Sequence, residues 1–145
     1  MATAEAAEVQ GFRPRILVFS TNNISDPGID LAGSSHMHYS PTVVVISVPC
    51  TSSIKPGWIV YAVSQGFDGV FIAADGEECA YLSDCSTRTA RIMTDAQELL
   101  KAEGFEPQRL RMAAICSVCA ESFTNYMREY SKALAELGPV RRAVA

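Results

Sequence analysis

The sequence predicts an α/β fold: a doubly wound, mostly four-stranded parallel sheet in a three-layer α/β/α arrangement. Short, near-continuous apolar runs recur four times, and several of them are rich in β-branched residues. Each run is followed by a polar turn and a segment with helical spacing, and 145 residues suit one domain. Such runs are typical of strands buried on both faces of a parallel sheet. Their alternation with helices implies right-handed crossovers.

The elements follow one another along the chain in a regular order. Strands are expected over 15–19, 42–48, 69–74 and 111–115. Helices are expected over 56–65, 86–103 and 123–137, with at most a short helix over 27–35. Gly66 and Gly104 stand just past two of these helices, as glycine often does at a helix C-terminus. The common strand order for such a flavodoxin-like domain is 2-1-3-4.

Composition excludes several classes of protein. The chain is 48% hydrophobic and 19% charged, which argues against disorder, and its net charge of −4 argues against a nucleic-acid-binding groove. The first residues lack the basic start and apolar stretch of a signal peptide, and the longest apolar run, 43–46, is too short to span a membrane. We therefore expect a cytoplasmic protein without direct membrane insertion, with a flexible tail over 1–12 and a single domain over 13–145.

Five cysteines are the most informative residues, because all of them fall at the predicted carboxyl edge of the sheet. Cys50 follows the second strand, and Cys79 and Cys85 lie in the loop after the third. Cys116 ends the fourth strand, and Cys119 begins the last helix. Open α/β domains bind their ligands at this edge. The odd number of cysteines on such a chain favours a reducing compartment over a disulfide scaffold.

The spacing Cys116-Ser-Val-Cys119 allows two thiolates to converge on one metal ion or cluster iron. Cys85 and Cys119 lie at the amino ends of predicted helices, where negative charge is stabilised, so we expect both thiols to have lowered pKa values. An iron–sulfur site is the leading interpretation. A structural zinc site, a thiol–disulfide redox pair and inert buried thiols remain alternatives.

Several short motifs, taken together, identify a family resemblance. They are Asp30-Leu-Ala-Gly33, Tyr39-Ser-Pro41, Val48-Pro-Cys50, Gly66-Phe-Asp-Gly-Val70, Cys79-Ala-Tyr81 and Gly104-Phe-Glu-Pro-Gln-Arg109. In this order and spacing they resemble the delta subunit of methyl-viologen-reducing hydrogenase, from about Arg15 to Leu137. The resemblance implies a small subunit with a [2Fe-2S] cluster and no substrate site of its own. Such a subunit relays single electrons between a hydrogenase, dehydrogenase or reductase subunit and a flavin-containing partner resembling heterodisulfide reductase.

The cysteine set departs from the family pattern. The family usually has a CxxC after the first strand, where this chain reads Ser20-Thr-Asn-Asn, and it usually has a Cys-His-Tyr where this chain reads Cys79-Ala-Tyr. Only Cys50 and Cys79 carry over from the family, and Cys85, Cys116 and Cys119 are additional.

We expect a relocated site in which Cys79, Cys116 and Cys119 are ligands. The ends of strands three and four are adjacent, since neighbouring strands lie about 4.8 Å apart. The fourth ligand is Cys85 by geometry or Cys50 by family descent, although Cys50 lies about 14 Å away in the expected strand order unless its loop folds across. Four thiolates serve a [2Fe-2S] or a [4Fe-4S] cluster equally, and zinc or no metal is the further alternative. A cluster-free or zinc-bearing structural adaptor is therefore the alternative function.

Replacing Cys116 with serine should remove the iron and bleach the visible absorption of the relocated centre, because a cluster depends on its thiolate ligands. Iron analysis and the absorption spectrum of anaerobically purified protein measure this effect. Unchanged iron content would refute the relocation.

Overall fold

The computed structural model describes residues 12–75 and 84–140. Their elements are β1 Ile16–Thr21, α1 Ser25–Ser34, β2 Val43–Val48, α2 Pro56–Ser64, β3 Gly69–Ala74, α3 Cys85–Ala102, β4 Leu110–Ala114 and α4 Ala120–Leu137. Two single turns of 3₁₀ helix, Thr51–Ser53 and Pro107–Arg109, precede α2 and β4. The expected tail over 1–12 lies outside the described residues except for Phe12, so the division into a tail and one domain over 13–145 stays a prediction.

All four strands are parallel and lie in the order β2-β1-β3-β4. Ile16 of β1 lies opposite Val43 on one side and Gly69 on the other, and Val70 lies opposite Leu110. The predicted fold class and strand order are therefore confirmed. The short helix expected over 27–35 is present as α1, which begins two residues earlier and has 10 residues.

The side chains of the central strand β1 alternate between two helical layers. Leu17 and Phe19 pack in a core with residues of α2 and α3, which we call the α2/α3 layer. Ile16 and Val18 pack in a second core with residues of α1 and α4, which we call the α1/α4 layer. Each fully buried aliphatic side chain contributes about 1.5–3 kcal/mol to folding relative to an exposed one. The two cores hold the sheet between the layers.

The outer strand β2 is less buried than expected. Val44 and Ile46 are each 45% exposed, whereas every residue of β1 and β3 is buried. The expectation that all four strands are buried on both faces is therefore wrong for β2, and also for β4, in which only Leu110 is buried. The physical reason is the edge position of these two strands: each pairs with one neighbour, and the buried helix residues pack mainly over the central strands.

A buried polar cluster joins the amino edge of the sheet to the end of α4. The carboxylate of Asp68 accepts hydrogen bonds from the backbone N–H groups of Arg15 (2.8 Å) and Val140 (3.0 Å). Arg109, which is 1% exposed, donates to the carbonyls of Asp68 (2.9 Å) and Gly138 (3.0 Å). Its Nε also donates to the carboxylate of Glu106. Each nitrogen of the buried guanidinium thus donates a hydrogen bond, which offsets the cost of burying its charge.

None of the helices within residues 12–75 and 84–140 is both long and apolar enough to cross a membrane.

Helix α1 approaches the loop after β4 closely at Gly28. A Cβ atom at this position would lie 2.4 Å from the backbone carbonyl oxygen of Cys116. Gly33 in the same helix has no atom within 4 Å of the equivalent position. The absence of a side chain at Gly28 is therefore what allows α1 to pack against the Cys116 loop.

Gly28→Ala should lower the free energy of unfolding by about 1–3 kcal/mol, since the new methyl group clashes with backbone that has to shift. Gly33→Ala is the matched control and should raise stability by about 0.5–1 kcal/mol, because alanine favours a helix interior over glycine. Chemical denaturation of both variants measures the difference. Equal stability of the two variants would contradict the close approach.

Candidate metal centre

The carboxyl edge of the sheet carries the cysteines, as the parallel topology requires. Cys50 lies two residues after β2, and Cys85 is the first residue of α3. Cys116 lies two residues after β4, and Cys119 immediately precedes α4. Cys79 lies outside the described residues, so the structure does not place it.

Cys50 and Cys85 meet at this edge, with their Sγ atoms 3.4 Å apart. The 3₁₀ turn after Cys50 carries the chain from β2 towards α3, where the Thr51 and Thr89 hydroxyls form a 2.9 Å hydrogen bond. The Thr51 hydroxyl also lies 3.4 Å from the Cys85 sulfur. The loop after β2 therefore folds across the edge. This is the condition under which Cys50 was expected to reach the residues after β3. Both alternatives for the fourth ligand lie at the same point.

Two threonines, Thr51 and Thr89, hold the contact between Cys50 and Cys85, and neither was predicted from the sequence. Thr89 lies one helical turn after Cys85 and donates to the Cys85 carbonyl oxygen (2.8 Å). Threonine commonly forms this bond to the carbonyl four residues earlier in a helix. The i, i+4 spacing of Cys85 and Thr89 was thus a usable signal for their proximity. Nothing in the sequence indicated Thr51 as the partner.

The electrostatic environments of the two thiols differ. Burial raises the pKa of Cys85, and the neighbouring Cys50 raises it further. This corrects the expectation that the helix amino end lowers the Cys85 pKa, because desolvation outweighs the helix terminus here. For Cys50, burial also acts to raise the pKa, but hydrogen bonds from the side chain and backbone of Ser52 and from Cys85 outweigh it. The pKa of Cys50 is therefore lowered.

Cys116 and Cys119 form a disulfide, with an S–S distance of 1.99 Å and a Cα–Cα distance of 4.9 Å. Cys119 packs against the α1/α4 layer, whereas Cys85 is held by Thr51 and Thr89 on the side of α3. The disulfide matches the thiol–disulfide alternative of the sequence analysis. A disulfide sulfur does not titrate, so the expected lowering of the Cys119 pKa has no counterpart in this state.

The described cysteines thus form two pairs. Within residues 12–75 and 84–140, no three His, Cys, Asp or Glu side chains come together to hold a metal ion. Two thiolates on one tetrahedral metal, each about 2.3 Å from it, lie about 3.8 Å apart. The 3.4 Å separation of Cys50 and Cys85 is close to this value, so either thiolate is placed to complete a metal site at this point. The set of Cys79, Cys116 and Cys119 with Cys85 or Cys50 stays a prediction, since Cys79 is outside the described residues.

The loop after β1, where the family has a CxxC, contains a closed polar network instead. The Ser20 hydroxyl donates to the carboxylate of Asp26, and the Thr21 hydroxyl donates to Asp75 (2.7 Å). Ser25 accepts a hydrogen bond from the Thr21 backbone N–H (2.6 Å). Two carboxylates at this loop oppose the binding of a phosphate group. A phosphate-binding site among the hydroxyls of Ser20 and Thr21 is thus disfavoured.

Comparison with known proteins shows similarity over almost the whole chain. The family model of the methyl-viologen-reducing hydrogenase delta subunit matches residues 16–138. The chain is 30% identical over 135 residues to the iron-sulfur subunit of the F420-non-reducing hydrogenase of Archaeoglobus profundus, covering 90% of this chain and 95% of that protein. For the vhu iron-sulfur subunit of the Methanopyrus kandleri enzyme, identity is 32% over 112 residues, covering 77% of this chain and 84% of that protein.

A second group of relatives is much longer. The chain is 34% identical over 128 residues to one of the subunits of ferredoxin:CoB-CoM heterodisulfide reductase from Methanosarcina mazei. The match covers 88% of this chain but spans 16% of the length of that protein. The chain is therefore similar to one segment of the heterodisulfide reductase protein and to nearly the whole of the hydrogenase iron-sulfur proteins.

Alkylation of the metal-free, air-exposed protein in denaturant should modify Cys116 and Cys119 only after treatment with a dithiol reductant, because disulfide sulfurs are not nucleophilic. Mass spectrometry of the intact protein should show two additional alkyl groups after reduction, and peptide mapping should place them on these residues. Modification of Cys116 without reductant would show that the disulfide does not form.

Proposed function

This chain belongs to the methyl-viologen-reducing hydrogenase delta subunit family, and on that premise we propose that it is an electron-transfer subunit of a hydrogenase- or heterodisulfide-reductase-type complex. The names of its relatives support this function, since they include hydrogenase iron-sulfur subunits and a component of heterodisulfide reductase. The proposed partners are a flavin- and iron–sulfur-containing subunit resembling heterodisulfide reductase and a hydrogenase, dehydrogenase or reductase subunit. The substrates belong to those partners.

The observation that carries the proposal is the contact between the Cys50 and Cys85 thiols. Two cysteines that are 35 residues apart in sequence meet with their sulfur atoms 3.4 Å apart at the ligand-binding edge. Buried cysteines without a function need not meet, and Cys50 is one of the two that carry over from the family. We propose that this point is part of a [2Fe-2S] site whose ligands are Cys79, Cys116 and Cys119, with Cys85 or Cys50 as the fourth.

When bound, the cluster would accept and release single electrons; the protein supplies thiolates, burial and hydrogen bonds. The Ser52 hydroxyl lies 3.1 Å from the Cys50 sulfur, and the Thr51 hydroxyl lies 3.4 Å from the Cys85 sulfur. Hydrogen bonds donated to ligand sulfurs stabilise added negative charge, so these hydroxyls favour the reduced state. The carboxylate of Asp75 acts on Cys50 in the opposite sense.

The disulfide between Cys116 and Cys119 has to be reduced before either sulfur can bind a metal, because thiolates are the metal ligands. Reduction adds two electrons and two protons and yields two thiols. A dithiol reductant is therefore needed to assemble the proposed site. This requirement also distinguishes the proposed ligands from a permanent structural disulfide.

A structural adaptor without a cluster, or with zinc, is the second candidate function. Two observations favour it: the loop after β1 holds a polar network where the family has a CxxC, and two of the remaining cysteines are joined to each other. Such a protein would connect its partners without carrying electrons.

Anaerobic purification in the presence of a dithiol, followed by metal analysis and electron paramagnetic resonance, separates the two functions. The electron-transfer function predicts about two irons per chain and a signal that appears on one-electron reduction. Zinc without iron would support the structural site, and the absence of metal would support the adaptor.

Single and double variants identify the fourth ligand. The Cys50→Ser and Cys85→Ser double variant should lose the cluster, since it removes both candidates. The single variant that loses the iron identifies the fourth ligand. Ser117→Ala is the matched control, because Ser117 is exposed between Cys116 and Cys119 and supplies no sulfur. Full iron content in the double variant would contradict a site at this contact.

A further inference from the structure

A second concave site lies at the opposite, amino edge of the sheet. A cavity of about 670 Å³ is formed by the segment before β1, the loop before β2 and one side of α4. The hydroxyl of Thr42 donates to the Pro14 carbonyl oxygen (2.6 Å) and joins the first two segments. The volume is within the range of small-molecule sites. The cysteines at the carboxyl edge take no part in it.

The cavity is strongly cationic, although the whole chain is acidic. Arg13, Arg128 and Lys132 line it, and the lining residues in the described part of the chain include no aspartate or glutamate. None of the three has a carboxylate within 4 Å among the described residues, whereas Arg88 and Arg109 each form an ion pair. Three like charges around one cavity repel each other unless an anion compensates them. The lining therefore favours a ligand with more than one negative charge.

Two of the α4 side chains that line this space carry hydrogen-bonding groups. Nε of Arg128 donates to the His38 carbonyl oxygen (2.9 Å), which fixes the guanidinium against the loop before β2. The Ser131 hydroxyl is buried and has no hydrogen-bond partner among the described residues. A buried hydroxyl without a partner costs free energy. After rotation of the Ser131 side chain towards the cavity, an oxygen-rich ligand would supply the missing partner.

Apart from His38 and Ser40, the remaining lining is apolar or aromatic. Phe12, Pro14, Tyr39 and Pro41 contribute to it. The Tyr39 ring packs edge-on against Phe123, with the ring centroids 5.3 Å apart, so its position is supported by the core of the α1/α4 layer. An inorganic anion alone would leave this surface without a contact. Rings and cations together are suited to a ligand with a planar part and an anionic part.

We propose that this cavity binds an organic phosphate of about mononucleotide size. The phosphate groups lie against Arg13, Arg128 and Lys132 and accept a hydrogen bond from Ser131, and the planar part packs against Tyr39 and Phe12. Guanidinium groups bind phosphate oxygens in a bidentate manner, which favours a phosphate over a single carboxylate. The site is independent of the cysteines and of the proposed electron transfer.

Isothermal titration calorimetry of the full chain with ADP, FMN and inorganic pyrophosphate tests the proposal. At least one of the two nucleotides should bind, and more tightly than pyrophosphate, because only a nucleotide also contacts the rings. The double variant Arg128→Gln, Lys132→Gln should weaken that binding at least tenfold. Tyr39→Ala should weaken nucleotide binding and leave pyrophosphate binding unchanged. Arg91→Gln is the control, since Arg91 is an exposed arginine of α3 outside the cavity.

Three results would overturn the proposal: no binding of either nucleotide, binding unchanged in the double variant, or pyrophosphate binding as tightly as both nucleotides. Arg128 and Lys132 are exposed, so their substitution should not prevent folding, and circular dichroism checks this for each variant.

Ser131→Ala tests the contribution of the buried hydroxyl separately. It should weaken phosphate binding while it removes the unpartnered hydroxyl, so its unliganded form should be at least as stable as the original chain.

Discussion

The parallel alignment of four strands around β1 is the constraint on which both proposed sites depend. All four strands run in the same direction, and β1, which is buried along its whole length, pairs with both β2 and β3. Every strand therefore ends at the same edge. The segments that follow the strands therefore lie together at one edge, and the segments that precede them lie together at the other. Cysteines collect at the first edge and cationic side chains at the second.

The contact between Cys50 and Cys85 depends on the loop after β2 as well as on the sheet. The sheet alone leaves the end of β2 separated from the end of β3 by β1. The 3₁₀ turn and the hydrogen bond between Thr51 and Thr89 close this distance. The two thiols acquire different pKa shifts in the process, since Ser52 stabilises the Cys50 thiolate while burial dominates at Cys85. Shifted pKa values of neighbouring side chains are common at functional sites.

The second cysteine pair has a different structural context. The disulfide of Cys116 and Cys119 belongs to a loop that α1 approaches through Gly28, without room for a side chain. The packing of α1 against the Cys116 carbonyl group supports this loop by a contact that does not involve the disulfide. For the proposed site, in which the sulfur–sulfur bond is exchanged for metal ligation, such support is an advantage. The thiols can be released while the surrounding packing stays in place.

The sequence by itself determined the α/β class, the four strands and the placement of Cys50, Cys85, Cys116 and Cys119 after strand ends. These features follow from local patterns, since apolar runs and helix terminators act within a few residues. The 2-1-3-4 order was predicted as the one common to such domains, and the structure confirms it. Tertiary structure decided that β2 is half exposed, that Cys50 reaches Cys85, that Cys85 is desolvated and that Arg13 and Arg128 line one cavity. These features depend on groups far apart in the chain, and patterns along the sequence do not specify the distance between such groups once the chain has folded.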